Sequence, residues 1–355
     1  MKPAPKPLTL PPAPGPIDCA LAAIAPDWVQ WIAEQRLREC TPASMVQTMV
    51  AAGHDTALAA QAIAEAETDP MMLAARRMQQ IQRKLESVAA NLQLMWELDP
   101  HYAEVERIAE PSLDEFMRRY VIGCRPVVLS GVAADWPALA RWSPADLKAR
   151  FGHIDVEVQA ERNANPRYEE EKLEHRRQVR LADFVDQVLA GGTTNDYYLT
   201  ANNEMLRRPE FAPLLADIGT LPRLCDRKAL VERSSFWFGP GGTVTPLHHD
   251  TIMLFHTQIV GRKRWRFISP LQTPRLYNYH NVFSAIDLDA PDFSRHPDFA
   301  SVKVLEVVAG PGDTVFLPLA WWHQVRSLDV SLSFSYSNLA LANAYTYRNP
   351  DIRNW

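Results

Sequence analysis

Two histidines and one aspartate have the types and spacing of a metal site. His248 and Asp250 lie two residues apart in a β-like run, and side chains two apart on a strand project to the same face. His249, between them, points to the opposite face. A third ligand must come from elsewhere in the chain, and His323, at the end of a second apolar run, is the natural candidate.

The chemistry of such a site follows from its donor atoms. Two imidazoles and one carboxylate on one face of an octahedral ion leave three positions open, which suits an Fe(II) ion that must bind a co-substrate and O₂. The alternative is a hydrogen-bonded structural cluster, because isolated His-x-Asp triplets often arise by chance. Residues 242–250 and 312–323 both have the pattern of strands entered through glycine turns, and this context favours the metal site.

Four short segments around these residues resemble a known family. They are residues 245–250 (Thr-Pro-Leu-His-His-Asp), 258–265 (Gln-Ile-Val-Gly-Arg-Lys-Arg-Trp), 310–313 (Gly-Pro-Gly-Asp) and 317–323 (Leu-Pro-Leu-Ala-Trp-Trp-His). In order and spacing they resemble the catalytic core of the JmjC and cupin-like 2-oxoglutarate oxygenases, especially the asparaginyl hydroxylase that inhibits hypoxia-inducible factor. Weaker similarity covers roughly the last two-thirds of the chain.

The resemblance implies a co-substrate site. Lys263 matches the family lysine that pairs with the far carboxylate of 2-oxoglutarate, and Thr245 and Tyr198 match its hydroxyl donors. A buried dicarboxylate needs a cation and such donors to offset its desolvation. Strand alternation places Lys263 with Trp265 on the interior face, whereas a solvated hairpin lysine is the alternative. Tyr197 competes with Tyr198 for the second hydroxyl position.

Five further residues concern the cavity of such a site. His256 and Ser333 match pocket positions of the family, and Trp321 is another candidate to shape the cavity; for each, simple packing is the alternative. Leu254 and Ser335 replace a polar and a large aromatic pocket residue of the asparaginyl hydroxylase. The substrate of that enzyme and its mode of dimerisation are therefore not carried over.

The second half of the chain is predicted to be a sandwich or barrel of strands. From residue 234 onward, short segments rich in β-branched and aromatic residues are each bounded by Gly, Pro or Asp. With the resemblance, this pattern predicts a mainly β fold with a helical N-terminal region, specifically a double-stranded β-helix of the cupin or jelly-roll, JmjC type.

Two irregular segments are candidates for the cavity mouth. Residues 159–180 carry a dense run of acidic and basic side chains, which is either a solvated face or a lid. Residues 270–300 break the strand periodicity and are expected to form an insertion at the substrate entrance. Its ring-bearing members are Tyr277, Tyr279, His280 and Phe283.

Three parts are expected along the chain. Residues 1–16 contain seven prolines and are predicted to be a disordered or extended tail. Residues 17–110 are predicted to form a helical domain and residues 111–355 the catalytic domain. Short helices around Gly53 resemble a ubiquitin-associated bundle, with a cap or a dimerisation arm as alternatives. A longer helix follows, with apolar residues at three- and four-residue spacing.

Composition does not suggest nucleic acid or a membrane as a partner. The net charge of −5 gives no overall basic field for nucleic acid, and no apolar run approaches the length of a membrane span. The four cysteines are scattered without a Cys-x-x-Cys pair, which argues against a zinc site and a disulfide framework. With no pattern of a secretory signal, a cytoplasmic protein without nucleic-acid or membrane partners is expected.

Together these features predict a dioxygenase that depends on Fe(II) and 2-oxoglutarate and uses O₂ to hydroxylate a C–H bond, with succinate and CO₂ as co-products. The expected substrate is a peptide or protein side chain, because the resemblance is to protein hydroxylases. Alternatives are a small-molecule hydroxylase or N-demethylase with the same site, and a non-catalytic cupin-like sensing module. A homodimer is a further expectation.

Overall fold

The structure is a computed structural model, and it describes residues 19–201, 203–278 and 282–343. The chain divides into two compact units, Met1–Val88 and Ala89–Trp355, and this division falls within one long helix. The tail expected over residues 1–16 lies outside the described residues, as do Tyr279 and His280.

The described helices and strands run as follows. The α-helices are α1 Pro26–Leu37, α2 Pro42–Ala51, α3 Thr56–Thr68, α4 Pro70–Trp96, α5 Leu113–Phe116, α6 Ala138–Arg141, α7 Pro144–Phe151, α8 Leu181–Ala190 and α9 Ala212–Ala216. The strands are β1 Glu106–Ala109, β2 Val127–Ser130, β3 Asp155–Gln159, β4 Arg176–Arg180, β5 Ser234–Gly239, β6 Val244–His249, β7 Leu254–Val260, β8 Lys263–Ile268, β9 Leu305–Ala309, β10 Asp313–Leu317, β11 Trp322–Ser327 and β12 Ser331–Tyr336. A π-helical turn, Met117–Ile122, continues α5, and short 3₁₀ turns lie at Ala20–Ala23, Arg162–Ala164, Met205–Arg207, Pro209–Phe211, Arg227–Ala229, Val231–Arg233, Pro270–Arg275 and Pro297–Ser301.

The first unit is a small helical bundle with the starts and stops that its sequence dictates. Thr41 caps α2 and Asp55 caps α3, each accepting a hydrogen bond from the backbone N–H three residues on, at 3.2 and 3.0 Å. Gly53, with φ of 96°, makes the turn between these helices at no steric cost. Ile32 and Met49 are fully buried at the centre of its apolar cluster.

The second unit contains the two sheets that position the site. A six-stranded sheet has the order β1-β2-β10-β7-β12-β5, and a four-stranded sheet has the order β6-β11-β8-β9. One apolar cluster draws residues from both, such as Val128 and Val315 of the first sheet and Trp265 and Phe267 of the second, so the core lies between them. This arrangement confirms the predicted double-stranded β-helix.

Two elements differ from the sequence expectation. β1 lies ahead of residue 111 but pairs parallel with β2, so it extends the six-stranded sheet. The charged segment of residues 159–180 ends in β4, which pairs with β3, and its charges are partly explained by cross-strand pairs such as Arg180 with Asp155 at 3.3 Å.

The described residues include no helix that is both long and apolar enough to cross a bilayer.

Candidate active site

The pairing of β6 with β11 brings the three predicted metal ligands together. His248 and His323 are directly opposite in this antiparallel pair, and Asp250 follows immediately after β6. Their imidazole centroids are 4.1 Å apart, and Nε2 of His323 lies 3.8 Å from Oδ2 of Asp250. One ligand atom from each residue lies within 4.8 Å of the other two, which is the spacing that one shared cation needs.

Backbone carbonyls orient both candidate imidazoles. Nδ1 of His248 lies 2.8 Å from the carbonyl oxygen of Pro246, and Nδ1 of His323 lies 3.0 Å from that of Trp321. When each Nδ1–H donates to its carbonyl, Nε2 keeps the lone pair that a metal requires. The donor atoms therefore fit a divalent ion held by two neutral imidazoles and one carboxylate.

Burial shifts His323 and Asp250 toward their neutral forms. Desolvation, reinforced by the neighbouring His248, lowers the pKa of His323 well below its usual value, so the ring is ready to act as a ligand without losing a proton. Desolvation also raises the pKa of Asp250, and the nearby His248 partly opposes this. A bound cation would stabilise the carboxylate form, so metal binding and ionisation of Asp250 favour each other.

His249 lies on the other face of β6, as strand alternation predicts. Its ring meets that of Trp322 edge-on at 4.7 Å, in the apolar layer behind the site. Burial lowers the pKa of His249 to about 4. It therefore packs as a neutral side chain outside the group of metal ligands.

Lys263 is a buried cation in the same cavity. Its side chain is among the most deeply buried in the chain, and its Nζ donates to the hydroxyls of Tyr198 at 2.9 Å and Ser333 at 2.7 Å. No carboxylate of the described residues lies within ion-pair distance of it. Burial lowers the pKa of Lys263 to about 7. An ammonium group enclosed without a counter-charge is costly, and an anionic ligand would supply the missing charge.

Neighbouring arginines do not share this environment. Arg262 pairs with Asp329 at 2.8 Å and Arg264 with Asp289 at 2.6 Å, both toward the surface. The alternation of β8 therefore places Lys263 inside and its two neighbours outside, as the sequence predicts.

The structure places Tyr198, and not Tyr197, beside Lys263. Tyr198 is buried against Lys263, whereas the hydroxyl of Tyr197 donates to the carbonyl of Gln187 at 3.0 Å. An isolated bridge between Tyr198 and Gln159 of β3 fixes this orientation. Thr245 lines the same cavity from β6.

The cavity that contains these groups has a volume of about 460 Å³. His256, Leu254 and Ser335 line it as expected, and Phe283 of the 270–300 insertion borders it. Its mouth carries charges of both signs, namely Glu169, Lys172, Glu204, Arg207, Glu232 and Arg233.

Trp321 does not line this cavity, and of the two roles considered for it from the sequence the structure shows the packing role. The side chain is completely buried, its Nε1 donates to the carbonyl of Cys124 at 2.7 Å, and its ring stacks on Trp96. Trp322 packs behind the site as well, with Nε1 donating to Thr273 at 2.9 Å.

Sequence reasoning also missed two residues of the site. Trp237 lines the cavity, with its ring centroid 5.5 Å from Nζ of Lys263. The signal that could have found it is strand alternation on β5, which puts Trp237 on the opposite face from Phe236 and Phe238. Arg162 is fully buried, with its guanidinium carbon 5.3 Å from the ring centroid of Tyr198, and it pairs with Glu169 at the mouth at 3.1 Å. No local pattern marks Arg162.

Comparison with known proteins identifies the family of the chain. The profile of the family described as "Cupin-like domain" matches residues 113–350. The chain belongs to this family. The cupin-like chain is 33% identical over 233 residues to Lysine-specific demethylase 8 of Xenopus tropicalis, which covers 64% of the chain and 51% of that protein. It is 30% identical over 240 residues to Lysine-specific demethylase JMJ30 of Arabidopsis thaliana, covering 65% and 54%.

An arginine-directed relative is also similar, but less so. The cupin-like chain is 26% identical over 275 residues to Arginine-specific demethylase JMJ20 of Arabidopsis thaliana, covering 68% of the chain and 58% of that protein. The chain thus spans little more than half the length of these curated relatives. The JmjC and cupin-like recognition made from the sequence is confirmed.

Proposed function

We propose that this protein is an Fe(II)- and 2-oxoglutarate-dependent dioxygenase. The single observation that carries the proposal is the enclosed Lys263, a cation without a carboxylate partner among the described residues, in the same cavity as His248, Asp250 and His323. A ligand that bridges the two must be an anion at one end and a metal chelator at the other. 2-Oxoglutarate has both properties.

Different residues would bind the metal and the co-substrate. His248, Asp250 and His323 would hold Fe(II), which together with 2-oxoglutarate and O₂ supplies the chemistry that hydroxylates a C–H bond and yields succinate and CO₂. Lys263 and the hydroxyl of Tyr198 hold the far carboxylate.

The walls of the cavity support this role. Trp265 packs against His256 at 5.0 Å between ring centroids and Trp237 lies at 5.9 Å from the same ring, so aromatic groups shield the inner end from water. Burial and the nearby Lys263 and His323 lower the pKa of His256 well below its usual value. A neutral His256 adds no second positive charge that would change where the co-substrate binds.

We propose a peptide or protein side chain as the substrate. The named activities of the relatives, lysine- and arginine-specific demethylases, support a polypeptide target. The charged mouth suits a polar polypeptide. Arg207 pairs with Glu232 there at 3.3 Å, and other acidic and basic side chains also line the cavity.

N-demethylation is the second candidate, and the relatives' names favour it. Hydroxylating the methyl carbon of an N-methyl group gives a carbinolamine, which loses formaldehyde without further help from the protein. The same site therefore serves either outcome. A small molecule is the remaining alternative, and the non-catalytic module is disfavoured because ligands and lysine are all present.

A cytoplasmic location completes the proposal. The four cysteines are unpaired in the structure, as expected in a reducing compartment, and Fe(II) is also maintained there.

The test is turnover of the purified full chain. Fe(II) and 2-oxoglutarate are added without oxygen, O₂ is then admitted, and succinate is measured by NMR with and without peptide libraries containing methylated and unmodified Lys, Arg and Asn. A gain of one oxygen in a peptide indicates hydroxylation, and loss of a methyl group with formaldehyde indicates demethylation. Absence of succinate above the level of a metal-free control would overturn the proposed activity.

The Tyr198 hydroxyl provides a first quantitative prediction. Tyr198→Phe should raise the 2-oxoglutarate concentration for half-maximal turnover about tenfold, because one hydrogen bond to a charged group is worth ~1.5 kcal/mol. Tyr197→Phe is the matched control and should leave this concentration unchanged, since its hydroxyl bonds only the Gln187 carbonyl among the described contacts. Equal effects of both substitutions would show that the hydroxyl was assigned to the wrong tyrosine.

A further inference from the structure

Helix α4 is long and packs very little of its surface. It runs over Pro70–Trp96, a length of 27 residues and therefore about 40 Å at 1.5 Å per residue. Within this fully described helix only Met72 and Gln93 are buried. Helices in proteins owe most of their stability to packing an apolar face, yet the described residues of the chain leave that face of α4 exposed.

Most of the exposed apolar residues of α4 form a narrow, regular stripe; Leu73 and Leu94, which are 43% and 61% exposed, lie outside it. The spacing within the stripe alternates between three and four residues along the whole helix, and we call the set the α4 seam: Met71, Ala74, Met78, Ile81, Leu85, Val88, Leu92 and Met95. Its large members are between 48% and 78% exposed. This alternation averages 3.5 residues, the repeat that keeps a stripe against another helix in a left-handed coiled coil.

The width of the seam indicates what kind of surface covers it. A helix on a globular core presents a broad apolar face, whereas two apolar positions in seven form the seam of a coiled coil. The positions that flank the seam on one side are Ala75, Gln82 and Ala89, which carry no charge. The complementary surface is therefore another helix of the same repeat.

We propose that a second copy of this chain covers the α4 seam, so that two α4 helices form a two-stranded coiled coil. The α4 of another copy carries the required repeat by definition, and a two-fold pair uses the same patch on both subunits. With roughly 100 Å² exposed by each of its seven large side chains, the seam offers on the order of 700 Å² per copy, near the ~800 Å² per partner of a standard specific interface.

The test compares two leucines of the same helix. Leu85 lies in the seam and is 66% exposed, whereas Leu94 lies off the seam and is 61% exposed. Sedimentation equilibrium of the full chain should give a dimer, Leu85→Glu should weaken association at least a hundredfold, and Leu94→Glu should remain dimeric. Circular dichroism checks that both variants keep their helix content, which is expected because both sites are exposed.

Several outcomes would overturn the coiled coil. They are a monomeric wild type at micromolar concentrations, a stable assembly of more than two copies, and equal loss of association in both leucine variants. A monomeric chain in which Leu85→Glu weakens peptide turnover would instead assign the seam to a polypeptide substrate. Succinate formation without substrate should persist in Leu85→Glu, so this result is independent of the proposed activity.

Discussion

Replacing His323 by alanine is expected to abolish Fe(II) binding and 2-oxoglutarate turnover while the protein stays folded. His323 supplies one of only three candidate ligands among the described residues, and its Nε2 faces Asp250 at 3.8 Å. Changes to groups that merely orient a ligand already cost 10–100-fold, so loss of the ligand itself should cost at least about a hundredfold. His248→Ala should be equally damaging. Metal binding is measured by titration with Fe(II) under anaerobic conditions.

His249→Ala is the matched control for these variants. It removes a histidine one residue away that packs on Trp322 instead of joining the ligand group. We expect some loss of stability, ~1 kcal/mol for an aromatic contact, with turnover within tenfold of wild type. Asp250→Ala should be less complete than the histidine variants, because water or an anion can take the vacated position. A turnover loss in His249→Ala as large as in His248→Ala would contradict the register of β6.

The part of the site that the sequence predicts is the part that strand alternation determines. On β8 it separates Lys263 from Arg262 and Arg264, and on β6 it separates His248 from His249; the structure places all of them accordingly. These assignments need only a period of two residues and the bounds of a strand. The pairing of β6 with β11, which brings His323 opposite His248, is not given by alternation, and the sequence indicated His323 only through its place at the end of an apolar run.

Residues that depend on distant contacts were not predictable in this way. Tyr198 is selected over Tyr197 by its bridge to Gln159, the last residue of β3, which lies far from it in sequence. Arg162 reaches the site through a guanidinium that donates to the carbonyl of Val244 at 2.7 Å, far away in sequence. Trp321 is a different case, because both a cavity role and packing were open from the sequence, and its contact with Trp96 shows that it packs.

In the fold, too, features set by neighbours in sequence are predictable, and features set by distant contacts are not. Caps and turns of the helical unit depend on neighbours in sequence, and Thr41, Gly53 and Asp55 mark them correctly. β1 lacks a strong pattern of its own, and its four residues become a strand because β2 offers a free edge for parallel pairing. Strand formation of this kind depends on context that no local window contains.

Replacing Lys263 by methionine is expected to raise the 2-oxoglutarate requirement about thirtyfold to a hundredfold, with Fe(II) binding unchanged. Methionine keeps much of the length of the side chain but removes the charge that faces the hydroxyls of Tyr198 and Ser333. Losing a charge-assisted pair in an enclosed site costs ~2–3 kcal/mol. The readouts are half-maximal succinate formation and direct titration of 2-oxoglutarate into the Fe(II)-loaded protein.

The same lysine predicts how affinity depends on pH. Burial lowers its pKa to about 7, so without 2-oxoglutarate the ammonium form predominates below neutral pH and is lost above it. Only that form pairs with a carboxylate, so affinity should fall roughly tenfold for each pH unit above about 7, and this slope should vanish in Lys263→Met. A methionine variant with wild-type affinity and an unchanged slope would assign the carboxylate elsewhere. Arg262 and Arg264 would be tested next, although each already pairs with a surface aspartate.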